Sequence, residues 1–226
     1  LEFRRVLFRS ISDKILSKTK VIVNLSGENI AKSRWTDARK RQILNSRVDT
    51  ITFLFDKVKS LGIELDAFIS ASAVGYYGGI TSDKIFNEND LAANDFLGQT
   101  CSEWERSVDK FLTLNTRVVK LRIGVVLSKY GGAFDKIALP IKFGVGSPLG
   151  SGKQYMPWIH EEDLARLIVE VVKNKSFNGV YNAVAPKHIT NSEFINKVAE
   201  KMSRPLFLPP VPEFLLKLIF GEMSVV

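Results

Sequence analysis

The chain has one cysteine, Cys101, and two histidines, His160 and His188. A lone thiol excludes an internal disulfide and fits a reducing compartment such as the cytoplasm. Two His and one Cys are too few for a His/Cys zinc site, so no metal is expected. No apolar run approaches the roughly 18 residues of a membrane helix. The longest, about residues 212–220, is interrupted by Glu213 and Lys217. Also missing are internal repeats, low-complexity tracts, zinc-finger or RNA-binding signatures, and any basic stripe interleaved with aromatics. The net charge of +8 is spread through the chain among Asp and Glu, as on a solvated surface. Membrane and nucleic-acid partners are therefore set aside in favour of a small-molecule ligand, with homo-oligomer formation left open.

Residues 1–10 (LEFRRVLFRS) begin without Met and show no periodicity or signal-peptide cleavage site. Residues 2–10 resemble the translation of a common sequencing-adapter oligonucleotide. The segment is treated as a cloning or assembly scar. It contains three Arg and one Glu, so the charge without it is +6.

The remainder, 45% hydrophobic overall, alternates strand and helix signals. Residues 21–25 (VIVNL), 67–72 (AFISAS), 117–126 (RVVKLRIGVV) and 180–184 (VYNAV) read as β-branched or apolar strands. Thr36 or Asp37 caps a long helix with an expected apolar stripe of Leu44, Val48, Ile51, Phe55 and Val58, and Gly62 ends it. Asn94 or Asp95 caps a helix to about Leu114. Residues 134–143 read as a helix bent by Pro140. Residues 161–173 start a helix with acids in its first turn. Thr190 and Glu193 form a capping box for a helix ending near Met202, and Pro212 starts another. This alternation implies an α/β fold with a parallel sheet, whose ligands bind beyond the carboxyl ends of the strands.

Four clusters lie where chemistry is expected. Asn24, Leu25, Ser26 and Gly27 follow the first strand, where small polar residues admit a ligand to the backbone. An ordinary strand-to-loop turn explains them equally well. Residues 70–79 (SASAVGYYGG) place Ser70, Ala71, Ser72, Tyr76 and Tyr77 at a strand end. A phenol near a small hydroxyl can serve as an acid or base; the competing reading is a Gly-flanked aromatic turn packed on the core. His160 can act as a base, but a loop-to-helix structural role is preferred, with Asp163 capping or bracing. Residues 144–154 form a Gly-rich loop that is not a P-loop, since neither Ser nor Thr follows Lys153. It is read as a mobile loop on the substrate side.

The ordered stretches VIVNLSGENI, RWTDARKRQILNSRVDT, ISASAVGYYG, DFLGQTCSEWE, LRIGVVLSKYGGA, GSGKQYMPWIHEEDLARL and GVYNAVAP resemble the extended short-chain dehydrogenase/reductase superfamily. More narrowly they resemble its NAD-dependent epimerase/dehydratase-like branch that ends in a C-terminal domain of unknown function. The resemblance implies an NAD(P)-binding Rossmann fold, a doubly wound parallel sheet with a small C-terminal substrate lobe. Asn24, Leu25, Ser26 and Gly27 would line the adenosine and ribose side of the cofactor. Ser70 and Ala71 would lie near the nicotinamide, and Arg122, Gly124 and Val125 close to its amide. Ser72 matches the superfamily's active-site Ser/Thr, Tyr77 is a substitute phenol, and Tyr76, Gln154 and Trp158 would face the substrate. NADP is slightly favoured over NAD.

Two departures stand out. No G-x-G-x-x-G occurs in the chain. The family carries that loop in a first βαβ unit that should precede Val21, so the chain is expected to lack this unit and to be truncated at both ends. The expected organisation is residues 11–203 as a partial Rossmann domain, with substrate-lobe insertions at about 128–160, and residues 204–226 as the start of a truncated C-terminal domain. These residues alone are expected to bind a dinucleotide weakly or not at all. Nor does Tyr-x-x-x-Lys occur: none of Tyr76, Tyr77, Tyr130, Tyr155 and Tyr181 has Lys four residues on, and Phe96 and Thr100 stand at the matching positions. Two functions compete. One is an NAD(P)-dependent oxidoreductase or epimerase-like enzyme for a small, sugar-like substrate. The other is a non-catalytic NAD(P)-binding sensor or scaffold. A Ser72 hydrolase is disfavoured, because no G-x-S-x-G elbow is present.

Overall fold

The computed structural model describes residues 10–225, so positions 1–9 of the adapter-like segment lie outside the described residues. The chain divides into two compact units. The first comprises residues up to 78 together with 87–122 and 168–182; the second comprises 79–86, 123–167 and 183 onward.

The first unit is built on a sheet of four strands in the order β1 (Val21–Asn24), β2 (Ala67–Ala73), β3 (Arg117–Ile123) and β6 (Gly179–Ala183). β1 and β2 are parallel, with Val21 opposite Ala67 and Asn24 opposite Ser70. A short helix, α1 (Asp13–Leu16), precedes β1. Between β1 and β2 runs α2 (Asp37–Ser60), started by the Thr36 hydroxyl, which accepts from the Arg39 N–H. Such a cap contributes about 1 kcal/mol. Gly62 follows at φ +60, a left-handed conformation that glycine adopts without strain. Asp95 caps α3 (Phe96–Asp109) by accepting from the Gly98 N–H, and a 3-10 turn (Lys110–Leu114) extends it. The buried apolar residues of this unit include Ile43, Ile51, Leu54 and Val58 of α2 together with Phe68, Ile69, Phe111, Val119 and Leu121. Phe68 stacks on Phe111 with centroids 3.9 Å apart.

Two expectations are corrected here. The buried line of α2 is Ile43, Ile51, Leu54 and Val58, one step round the helix from much of the expected stripe; Leu44, Val48 and Phe55 are half-buried. Apolar pairs at 43/44 and 54/55 give the periodicity two equal solutions, and packing selects one. The strand read over 117–126 is two strands in different sheets. β3 ends at Ile123, and β4 (Val125–Leu127) pairs in parallel with β5 (Trp158–His160) in the second unit. The break falls at Gly124, where a Cβ would lie 2.5 Å from the Pro157 carbonyl oxygen. Only glycine permits so close an approach.

The second unit adds α4 (Ala133–Lys142), which contains Pro140, and α6 (Asn191–Lys201), which starts with the Thr190–Glu193 capping box. Ile141 of α4 packs on Ile195 and Ala199 of α6. α5 (Glu161–Lys173) directly follows β5. Residues 204–225, with α7 (Glu213–Phe220), belong to this same unit. A bridge ties Leu149 to Val211, and the Val211 N–H donates to the Pro148 carbonyl at 2.9 Å.

Candidate functional site

The parallel register of β1 and β2 brings Asn24 and Ser70, both buried, to the same end of the sheet. Asn24 Oδ1 accepts from the Ser26 hydroxyl at 2.6 Å. Its Nδ2 is buried and has no hydrogen-bond partner among the described residues. An unmet buried donor costs free energy unless something fills it, so such a group calls for a ligand or a water. Leu25 and Gly27 are exposed and Ser26 half-buried, so the loop after β1 is open to solvent. Ser70 donates to the Ala71 carbonyl at 2.9 Å.

α2 holds this loop from behind. The Arg47 guanidinium lies against Gly27, where a Cβ would stand 3.2 Å from its Cζ. Its Nη2 donates to the Glu28 carbonyl at 3.1 Å, while the Glu28 N–H donates to the Ser46 hydroxyl at 3.0 Å. Arg47 also sits 4.9 Å from the centroid of the Trp104 ring. Burial pulls its pKa below the ordinary guanidinium value. Arg39 pairs with the Glu28 carboxylate at 3.0 Å.

At the ends of β2 and β3 lies a buried polar network. Glu105 Oε1 accepts from the Ser72 hydroxyl at 2.7 Å and from Arg122 Nε at 2.9 Å, and its Oε2 accepts from Arg122 Nη2 at 3.0 Å. Arg122 Nη1 donates to the Tyr77 oxygen at 2.9 Å and to the Glu88 carbonyl at 3.1 Å. The Tyr77 hydroxyl donates to Asn182 Oδ1 at 2.7 Å, with the Asn87 carbonyl a second acceptor at 3.1 Å. The Arg122 Cζ lies 3.4 Å from the centroid of the Tyr76 ring. Burial works against the charge on Arg122, but the bonds to Glu105 and Tyr77 outweigh it and hold its pKa above the ordinary value. Ser72 and Tyr77 therefore both direct their protons into the protein and can meet a ligand only as acceptors. Arg122, expected beside a cofactor, spends its fork on Glu105.

The remaining expected site residues lie in the second unit. The Gly124 N–H donates to the Ala183 carbonyl at 3.2 Å, and the Val125 N–H to the Pro157 carbonyl at 2.7 Å. Gln154 donates from Nε2 to the Leu149 carbonyl at 2.9 Å and accepts at its backbone from the Asn191 N–H. Its side chain braces the Gly-rich loop, where Leu149 N–H reaches Asn191 Oδ1 and Ser192 N–H reaches the Gly152 carbonyl, both at 2.9 Å. Trp158 Nε1 is buried with no partner among the described residues. His160 Nδ1 accepts from the Glu162 N–H at 3.2 Å, the structural junction role. Asp163 lies 3.5 Å from Arg166 in an exposed pair.

Phe96 and Thr100 hold no acid–base pair. Phe96 packs edge-on against Trp35 at 4.8 Å, and Thr100 is buried. Sequence reasoning missed Glu105, Asn182 and Arg47. Glu105 had a signal: it shares the inner line of α3 with Cys101, Trp104 and Val108, and a carboxylate at a core position needs a charged partner. Cys101, on that same line, is a buried thiol pushed up to about 12, chiefly by burial and then by the Glu105 charge. Among the described residues, no three His, Cys, Asp or Glu gather as a metal site, and no helix is long and apolar enough to cross a membrane.

No family model matches the chain. The chain is 39% identical over 208 residues to the chloroplastic epimerase family protein SDR39U1 homolog of Arabidopsis thaliana, covering 91% of this chain and 58% of that protein. It is 34% identical over 225 residues to mouse epimerase family protein SDR39U1, covering 98% and 76% respectively. The crystal structure of human epimerase family protein SDR39U1 (isoform 2) with NADPH superposes with a TM-score of 0.83 at 31% identity, over 94% of this chain and 74% of that one. The chain thus spans 58% to 76% of the length of these proteins.

Proposed function

The chain belongs to the SDR39U1-type epimerase family of short-chain dehydrogenase/reductase proteins, and from that premise we propose that it forms the nicotinamide- and nucleoside-contacting part of an NAD(P)-binding oxidoreductase or epimerase-like enzyme. NADP(H) is the proposed cofactor, because the human relative was crystallised with NADPH. The single observation that carries the reading is the unmet Asn24 amide donor at the carboxyl end of two adjacent parallel strands, where such sheets bind nucleotides. In that reading Asn24 Nδ2 donates to the nucleoside and Gly27 lets the ligand approach the backbone. Bound dinucleotide supplies hydride chemistry, and the protein supplies orientation and proton handling. Ser72, its proton held by Glu105, accepts a hydrogen bond from a substrate hydroxyl, consistent with a small polyol or sugar-like substrate. Tyr76 is the proposed apolar wall for it.

A second reading is favoured by one specific observation. The Tyr77 phenol is buried and bonded on both sides, and the positions matching Tyr-x-x-x-Lys are a packed Phe96 and a buried Thr100. A site without a free acid suits a protein that binds NADP(H) without turning it over. The deciding experiment uses the protein expressed from its complete reading frame, with NADPH binding measured by fluorescence and turnover measured on a carbonyl and sugar-nucleotide panel. Binding with turnover of any member of the panel supports the enzyme. Binding with no turnover on any substrate supports the sensor. Absence of binding to both NADPH and NADH defeats both.

A further inference from the structure

α2 presents Ser46 and Arg47 to the loop that follows β1, and together they hold both backbone groups of a single residue. The Glu28 N–H donates to the Ser46 hydroxyl, which itself donates to the Ile43 carbonyl at 2.8 Å. The Glu28 carbonyl accepts from Arg47 Nη2 at 3.1 Å, while Arg47 Nη1 donates to the Ile43 carbonyl at 2.8 Å. Arg47 thereby ties the first turns of α2 to the loop with its planar fork, and the Trp104 ring backs the guanidinium. At the other end of the loop, Asn24 is fixed by strand register opposite Ser70. Only residues 25–27 lie between the two anchors, and the last of them rests directly on Arg47, since a Cβ on Gly27 would contact its Cζ, Nη2 and Nε at 3.2–3.4 Å. Ser26, inside the span, supplies the hydroxyl that occupies Asn24 Oδ1 and so leaves Nδ2 as the free donor.

We propose that Arg47, assisted by Ser46, is a positioning residue for nucleoside recognition: it sets the 24–28 loop so that Ser26 orients the Asn24 amide, whose Nδ2 then meets a ring nitrogen or ribose oxygen of the ligand. The inference rests on the dinucleotide reading given above. A lysine cannot replace the arginine, because an ammonium is a compact charge without the fork that spans Ile43 and Glu28. Arg47 touches no ligand in this arrangement and acts only through the loop.

The test measures the NADPH Kd at 25 °C, and the thermal midpoint separately, on the protein from its complete reading frame. Arg47→Lys and Ser46→Ala are expected to raise the Kd about tenfold and severalfold respectively, an order of magnitude typical of losing one well-placed contact. Asn24→Ala is expected to raise it by a similar factor, and Asn24→Ala added to Arg47→Lys should raise it little further, because both remove the same contact. Gly27→Ala, which pushes on Arg47, should resemble Arg47→Lys. A purely structural Arg47 would lower the thermal midpoint and leave the Kd unchanged, which overturns the proposal. Multiplying effects of Asn24→Ala and Arg47→Lys overturn it as well. Should Arg47→Lys fail to fold, Ser46→Ala decides: an unchanged Kd refutes. A wild-type protein that binds no NADPH refutes the functional reading itself, an outcome distinct from wild-type binding that the variants leave intact.

Discussion

Removing Glu105 should unfold the first unit more readily than any exposed ion-pair deletion in the chain. Glu105→Leu strips three bonds at once: those from the Ser72 hydroxyl, Arg122 Nε and Arg122 Nη2. It leaves a guanidinium whose side chain is 3% exposed. Arg122 cannot escape by losing its proton, since its pKa starts from an ordinary guanidinium value far above neutrality. Breaking one partner of a buried pair costs about 3–5 kcal/mol. Arg122 keeps Tyr77, the Glu88 carbonyl and the Tyr76 ring, which argues for the lower half of that range. The double variant Glu105→Leu/Arg122→Met removes both charges and should be more stable than Glu105→Leu alone, falling short of wild type by about 1 kcal/mol for each of the bonds to Tyr77 and the Glu88 carbonyl that go with the guanidinium. Urea denaturation at pH 7, followed by tryptophan fluorescence and far-UV circular dichroism, reads the difference; Arg166→Ala, which removes an exposed pair partner, serves as the control at about 0–1 kcal/mol. A cost for Glu105→Leu no larger than the control's would refute the assignment of this pair as a buried brace. So would a double variant less stable than the single one.

Three further outcomes are expected. Gly124→Ala drives a Cβ to 2.5 Å from the Pro157 oxygen and 2.9 Å from its carbon, so backbone must move; a loss of about 1–3 kcal/mol is expected by thermal denaturation, and an unchanged midpoint contradicts it. Cys101, pushed up to about 12 mainly by burial, should resist Ellman's reagent at pH 8 until the protein unfolds; rapid labelling of the native protein would count against that burial. The exposed Glu193 carboxylate is held below its ordinary value of 4.5, first by the Thr190 N–H and then by the Thr190 hydroxyl. A carboxylate depressed in the folded state stabilises above its unfolded pKa and loses that contribution as pH falls through the folded one. Wild type should therefore melt above Glu193→Gln at pH 7, and the gap should close in acid below the ordinary carboxylate range; a gap independent of pH would rule out the carboxylate as the source.

The parts of this protein legible in its sequence are those whose physics is local. Thr36, Asp95 and the Thr190–Glu193 pair each meet N–H groups within three residues, so short strings of sequence specify their helix starts. Strands alternating with helices dictate a parallel sheet, and a parallel sheet gathers its ligand-facing residues at one end. That is why Asn24 and Ser70 are legible as strand-end residues, while Arg122 is legible only through the family resemblance. What Arg122 does there was not legible. Glu105 lies 17 residues from Arg122, and Asn182 lies 105 residues from Tyr77. Whether such groups meet depends on strand register and on the rotation of α3 about its axis, neither of which a local pattern encodes. The switch of sheets at Gly124 is of the same kind: 117–126 is one unbroken run of strand formers, and only the approach of Pro157 from a distant segment divides it. The sequence by itself determined the main helices, the strands of the first sheet and their order along the chain, and the end of the sheet that matters. The tertiary structure decided which polar groups at that end are committed to one another and which, like Asn24 Nδ2, have no protein partner among the described residues, because hydrogen bonds across long separations form only once packing has fixed both partners in place.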